Sequence, residues 1–267
     1  MKKLLALSLL AVMVLACSDK KGTAKGSADE EEKVIELVTK EFSKSHEGPH
    51  TSAQYKIDFP VGGDENLRKV IFDFLYSMME DYVGNVEEAS KLSNDGQAFV
   101  DAYCNLSAEH LKNGWDCYSQ GEEMDEVLDE NATARLIVNE KKYVTYTFDY
   151  DCYFGGDGYS ANRGATFLKA DGRQLDGKWL FSKSQSPKLL KLVHKALKKE
   201  YAGNEGFLDP AFIDEMTDLP EEFFITKDGI RFVYTQATAA WFLLNGIIPM
   251  EEAQDVLSDQ ASELLEE

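Results

Sequence analysis

Histidine and cysteine are scarce in this chain, 4 of each among 267 residues, and their spacing matches no structural zinc site. His46, His50, His110 and His194 are scattered through polar or helical stretches, where exposed or hydrogen-bonded histidines are the default. Nucleophile and cofactor signatures are missing too. There is no Gly-x-Ser-x-Gly, no His-Glu-x-x-His, no Ser-x-x-Lys with fitting partners and no phosphate-binding glycine loop. These absences lean against an enzyme and imply no cofactor and no bound metal. Positive charge is also short: 28 Lys and Arg stand against 48 Asp and Glu, a formal charge of −20. So acidic a chain does not bind nucleic acid or anionic headgroups through general electrostatics. It suits a basic partner, although an acidic surface also serves solubility alone.

The one long apolar run stands at the start. Lys2 and Lys3 precede Leu4–Leu15, interrupted only by Ser8. A membrane-spanning helix needs about 20 apolar residues, so this run has the length of a secretory h-region instead. Val14-Leu15-Ala16-Cys17 then follows the bacterial lipobox: a branched residue, a small residue before the cleavage point, and a cysteine directly after it. The cysteine is required because its thiol is the nucleophile that takes the diacylglycerol. The expectation is a signal peptide over 1–16, a lipid anchor on Cys17 and a location in the cell envelope. Ser18, rather than Asp, after the cysteine favours the outer membrane and leaves the leaflet open. From Ser18 to Glu32 no apolar residue is larger than Ala, so 17–32 reads as a flexible tether. Export permits a disulfide, and the three pairings among Cys104, Cys117 and Cys152 all stay open.

Beyond the tether the pattern reads as an N-terminal part, 33–131, and a C-terminal part, 132–267. Lys33–Phe42 is a short amphipathic segment, strand or helix. Alternation over Ala53–Phe59 predicts a strand, closed by Pro60 and Gly62-Gly63. Asp64 caps a helix over Glu65–Val83, and Asn94-Asp95-Gly96 leads into a second over Gln97–Asn113. From Ala132 the β-branched and aromatic content rises, giving two strands about a turn at Asn139–Lys142. Ala165–Leu168 is a further strand. Lys188–Tyr201 is a helix with Ser186 as cap and Pro187 in its first turn. Phe223–Thr226 and Ile230–Tyr234 form a hairpin across Lys227-Asp228-Gly229, and a last helix runs Met250–Leu265. Helices in blocks between hairpins give an α+β fold: antiparallel sheet with helices packed on one face.

Two features near Gly155-Gly156 carry candidate chemistry. Asp149, Asp151 and Asp157 lie around the Gly-Gly turn and are the best candidate carboxylate cluster; alternation places Asp149 and Asp151 on one strand face and Tyr150 and Cys152 on the other. Such a set fits Ca²⁺ or a glycosidase-like acid pair, but it lacks the glycine and distal glutamate of an EF-hand loop. A solvated strand face accounts for it more simply. Tyr143, Tyr146, Phe148, Tyr150, Tyr153, Phe154 and Tyr159 crowd the same region. Most should fill the core, leaving Tyr153, Phe154 and Tyr159 beside the turn as candidates for stacking on sugars.

From Tyr143 onward the chain resembles the exported domain found at the C-terminus of RsiV-type anti-sigma factors and beside polysaccharide deacetylases. The resemblance is carried by Tyr150-Asp151-Cys152-Tyr153-Phe154-Gly155-Gly156, Thr166-Phe167-Leu168 with Asp171-Gly172, Trp179-Leu180-Phe181, Phe224–Tyr234 with its Asp228-Gly229 turn, and Gly246-Ile247-Ile248-Pro249-Met250. The family pattern places a histidine just after the Gly-Gly turn; Asp157-Gly158 stands there instead, so no role of that histidine carries over. The resemblance implies recognition outside the cell of a lysozyme-like envelope protein or of peptidoglycan. The expectation is therefore a lipid-anchored, non-enzymatic binding or sensing protein. An envelope hydrolase or metal-dependent enzyme using the Asp149, Asp151 and Asp157 cluster is the second reading, and a structural subunit of an outer-membrane assembly the third.

Overall fold

The computed structural model describes residues 35–119, 126–203, 208–239 and 242–266. The expected signal peptide over 1–16, Cys17 and the expected tether over 17–32 lie outside the described residues. Residues 34–267 form one compact unit.

Alternating Ala53, Tyr55, Ile57 and Phe59 build β2 (Thr51–Gly63), and all four are buried. β2 pairs antiparallel with β1 (Leu37–Glu47), so the short amphipathic segment resolves as strand. Asp64 caps α1 (Glu65–Tyr82) by accepting from the Leu67 amide at 2.9 Å. The stripe Leu67, Ile71, Leu75 and Met78 is buried. α2 (Gly96–Ser119) opens on Asp95, whose carboxylate accepts from the Ala98 amide, and continues past the expected end at Asn113.

β3 (Leu128–Asn139), β4 (Tyr143–Tyr153) and β5 (Gly158–Leu168) follow as an antiparallel meander. The boundary drawn at 131/132 falls inside β3, so the two parts share one sheet. Next come α3 (Gly177–Leu180), α4 (Ser186–Glu200) and α5 (Pro210–Glu215), then β6 (Glu222–Ile225), β7 (Gly229–Ala239) and β8 (Phe242–Pro249). The cap position of α4 is Gln185, with Ser186 already in the helix. The C-terminal helix is not continuous. It is split into α6 (Met250–Ala253), a 3-10 turn and α7 (Asp259–Leu265). Leu257 leaves the helix to bridge Phe181, and Ser258 then caps α7.

The fold is α+β, with a single sheet of order β1-β2-β3-β4-β5-β8-β7-β6. Hairpin logic predicts antiparallel pairing throughout; two pairings are parallel, β2 with β3 and β5 with β8. The first follows from chain direction, because α1 and α2 form a crossover between β2 and β3. Helices packed on one face is likewise too simple. Phe224, Val233 and Leu243 join a first core with β2–β5, α1 and α2, whereas Phe223, Ile225, Phe232 and Leu244 join a second core with α4 and the C-terminal helices. Neighbouring strand residues point to opposite faces, so β6–β8 are covered on both.

β6 also leans on β5. The Phe224 ring lies over Gly164, and the Ile225 amide donates to Thr166 Oγ1 at 2.9 Å. Arg163 binds Glu222 through two hydrogen bonds and donates to the Tyr82 hydroxyl at 2.7 Å, tying β5 to β6 and α1.

Candidate functional site

The β4–β5 turn is made by Gly155 and Gly156, at φ 61° and 92°, and closed by the Phe154 amide donating to the Asp157 carbonyl at 2.8 Å. Gly155 is required twice over, because a Cβ there would meet the Tyr118 ring at 2.5 Å. The turn thus docks on the C-terminal end of α2. Phe154 is 39% exposed and lies near Gly114, where a Cβ would stand 3.7 Å from its ring. One residue on, Trp115 stacks on His50 with centroids 4.2 Å apart and planes 4° from parallel. Tyr118 lies 6.3 Å from Trp115, and its hydroxyl donates to Glu126 at 2.8 Å, a carboxylate that Tyr153 also reaches at 3.5 Å. Val127 beside them is 48% exposed. Together the end of α2, the turn and the entry to β3 present an aromatic patch with an acidic centre at Glu126.

Tyr153 and Phe154 belong to this patch; Tyr159 does not. Tyr159 is the cross-strand partner of Cys152 and so lies on the face opposite Tyr153. There it stacks on Tyr82, and burial pushes its phenol up to about 12. Tyr143, Tyr146, Phe148 and Tyr150 fill the interior.

The carboxylates also separate. Asp149 and Asp151 share the outer face of β4, each held by an amide: Asn162 donates to Asp149, and Asn131 to Asp151 at 2.8 Å. Asp157 sits in the turn. Asp129, paired across the strands with Tyr153, has its carboxyl raised by burial and by the charge of Asp151. Among the described residues no group of three or more His, Cys, Asp or Glu converges as metal ligands do. Cys104, Cys117 and Cys152 are free thiols; burial raises the pKa of Cys104 and Cys152, keeping them protonated.

No family model and no curated protein matches the sequence. Solved structures do. A DUF3298 family member from Bacteroides fragilis matches with a TM-score of 0.51 at 17% identity, over 85% of this chain and 94% of that one. A DUF3298 family protein from Pseudomonas aeruginosa matches with a TM-score of 0.52 at 12% identity, over 85% of this chain and 97% of that one. The chain has the DUF3298 fold. At such identities the likeness is one of architecture, and it assigns neither ligand nor activity.

Within this DUF3298 architecture, sequence reasoning located the turn but missed the residues that complete the patch. Trp115 and Tyr118 stand three apart on α2, a spacing that puts both on one helix face and was available as a signal. His50 and Glu126 come from loops remote in sequence, and only the fold brings them there.

Proposed function

We propose that the protein is a lipid-anchored recognition module of the bacterial envelope, non-enzymatic, held at the outer membrane through Cys17 and binding an envelope protein or cell-wall glycan. The observation that carries this reading is the patch of Phe154, Trp115, Tyr118 and Tyr153 around Glu126. Partly exposed aromatic rings held by the turn and by the end of α2 supply the amphipathic area on which sugars and protein side chains stack. The resemblance to RsiV-type domains supports a lysozyme-like protein or peptidoglycan as the partner. A formal charge of −20 suits the basic one of these two.

The test is a pull-down of the purified chain against a lysozyme and against peptidoglycan fragments, side by side at physiological salt. One of them binds, and Phe154→Ala and Trp115→Ala each weaken it about tenfold or more, the effect of removing an aromatic anchor. Unchanged melting temperatures would place the loss at the surface. Binding of neither, or binding indifferent to both substitutions, overturns the reading.

A further inference from the structure

β5 and β8 are neighbours in the sheet, yet they pair at a single position, Ser160 with Phe242. Past that pair the two strands border an opening. One cleft of about 380 Å³ lies between Ser160 and Asn162 of β5 and Leu243 and Asn245 of β8. A second of about 610 Å³ lies between Arg135, Asn162, Lys227, Arg231 and Ile247. Asp149 and Asn162 border both, so the two form one groove along the divergence of the strands.

Backbone groups that a neighbouring strand would satisfy are satisfied here by side chains. The Asn245 amide donates to the Tyr201 hydroxyl at 3.3 Å, and the Asn245 side chain folds back to donate to the Leu243 carbonyl at 3.1 Å. Residues two apart direct these groups to the same side of a strand, so both lie on the edge away from β7. A strand edge closed by side chains rather than by a neighbouring strand is suited to accept an extended chain once they give way.

The wider end of the groove adds charge. In a chain of formal charge −20, Arg135, Lys227 and Arg231 make no ion pair among the described residues. Arg231 Nη1 donates to Asn162 Oδ1 at 2.5 Å, and the Asn162 amide donates in turn to Asp149. That relay fixes the guanidinium across the groove and occupies Asp149, the carboxylate nearest to it in the network. Arg231 Nε stays buried with no acceptor, so the hydrogen bonding of this cation is incomplete. Two other anions border the groove, Asp228 on the β6–β7 turn at the wider end and Asp151, which Asn131 holds by a hydrogen bond at 2.8 Å, at the narrower one.

We propose that this groove binds an extended peptide by its free carboxyl terminus. The backbone of the peptide lies along the open edge of β8, and its carboxylate is taken by Arg231 and Arg135, with Lys227 at the rim. The site is separate from the aromatic patch and does not rest on it.

Calorimetric titration of the full-length protein with trialanine, trialanine amide and acetate tests this. All three are small, and only the first combines a peptide backbone with a terminal carboxylate. Trialanine binds; amidation weakens it about tenfold or more, the loss expected when a charge-assisted hydrogen bond is removed. Arg231→Gln and Arg135→Gln weaken trialanine similarly, and Arg135, being exposed, is replaced without change in melting temperature. Phe154→Ala leaves this binding intact. Equal affinity for acid and amide, acetate as tight as trialanine, indifference to both arginine substitutions, or no heat with trialanine up to about 10 mM would each overturn the proposal.

Discussion

Glu130 is 2% exposed, and its carboxyl group is ringed by three hydroxyls: Ser107 at 2.7 Å, Tyr150 at 3.1 Å and Tyr55 at 3.3 Å. The three donors favour the charged form, but desolvation outweighs them, and the carboxyl pKa is raised above its ordinary 4.5. The same burial, with Glu130 beside them, raises both tyrosine phenols. For an acid whose pKa is higher folded than unfolded, the folded state holds more protons between the two values. Stability therefore falls as pH rises from about 4.5 through the folded pKa, and is level above it. Glu130→Gln keeps a polar group of the same shape among the hydroxyls and removes the titration. The expected outcome is that the melting temperature of the parent declines relative to Glu130→Gln between acid and neutral pH. Parallel pH profiles for the two proteins would contradict it.

At the scale of elements, the contact of β6 with β5 depends on the missing side chain of Gly164. A Cβ there would stand 2.7 Å from the Phe224 ring, which is fully buried and has no room to retreat. Gly164→Ala is expected to cost about 1–3 kcal/mol, the range for overpacking a filled core, read as a lowered midpoint in urea unfolding. A second replacement, Phe224→Leu, should recover part of that loss. Element legibility follows the same physics. β2, α1, the β3–β4 pair and the β6–β7 hairpin were readable because alternation, a capping Asp64 and a Gly turn all agree locally. The first half of β5, Gly158-Tyr159-Ser160-Ala161-Asn162-Arg163-Gly164, was not, because its own residues favour no strand and its pairing with β4 places it. Met250–Leu265 reads as one helix in isolation; bridging to Phe181 breaks it at Leu257. The candidate site divided in the same way: Tyr153 and Phe154 were visible beside the Gly-Gly turn, while His50, Trp115 and Glu126 gather there only through tertiary packing.

For the whole molecule, the lipobox predicts where the folded body is held. Cys17→Ala removes the nucleophile for acylation, so the expected outcome is loss of the chain from the membrane fraction and the absence of a lipid mass on the mature N-terminus. An unchanged distribution would overturn the proposed anchor at Cys17. No described helix is long and apolar enough to cross a bilayer. Sequence by itself determined the features set by a few adjacent residues or by composition: the acidic charge of −20 and the α+β class. It also placed most helices and hairpins, because those depend on contacts within a dozen residues. Only the tertiary structure decided the parallel joins of β2 to β3 and β5 to β8, the two-sided burial of β6–β8, and the groove that Arg135 and Arg231 both line. Each of those joins residues distant in the chain, and such contacts are selected by the packing of whole elements rather than by any local preference.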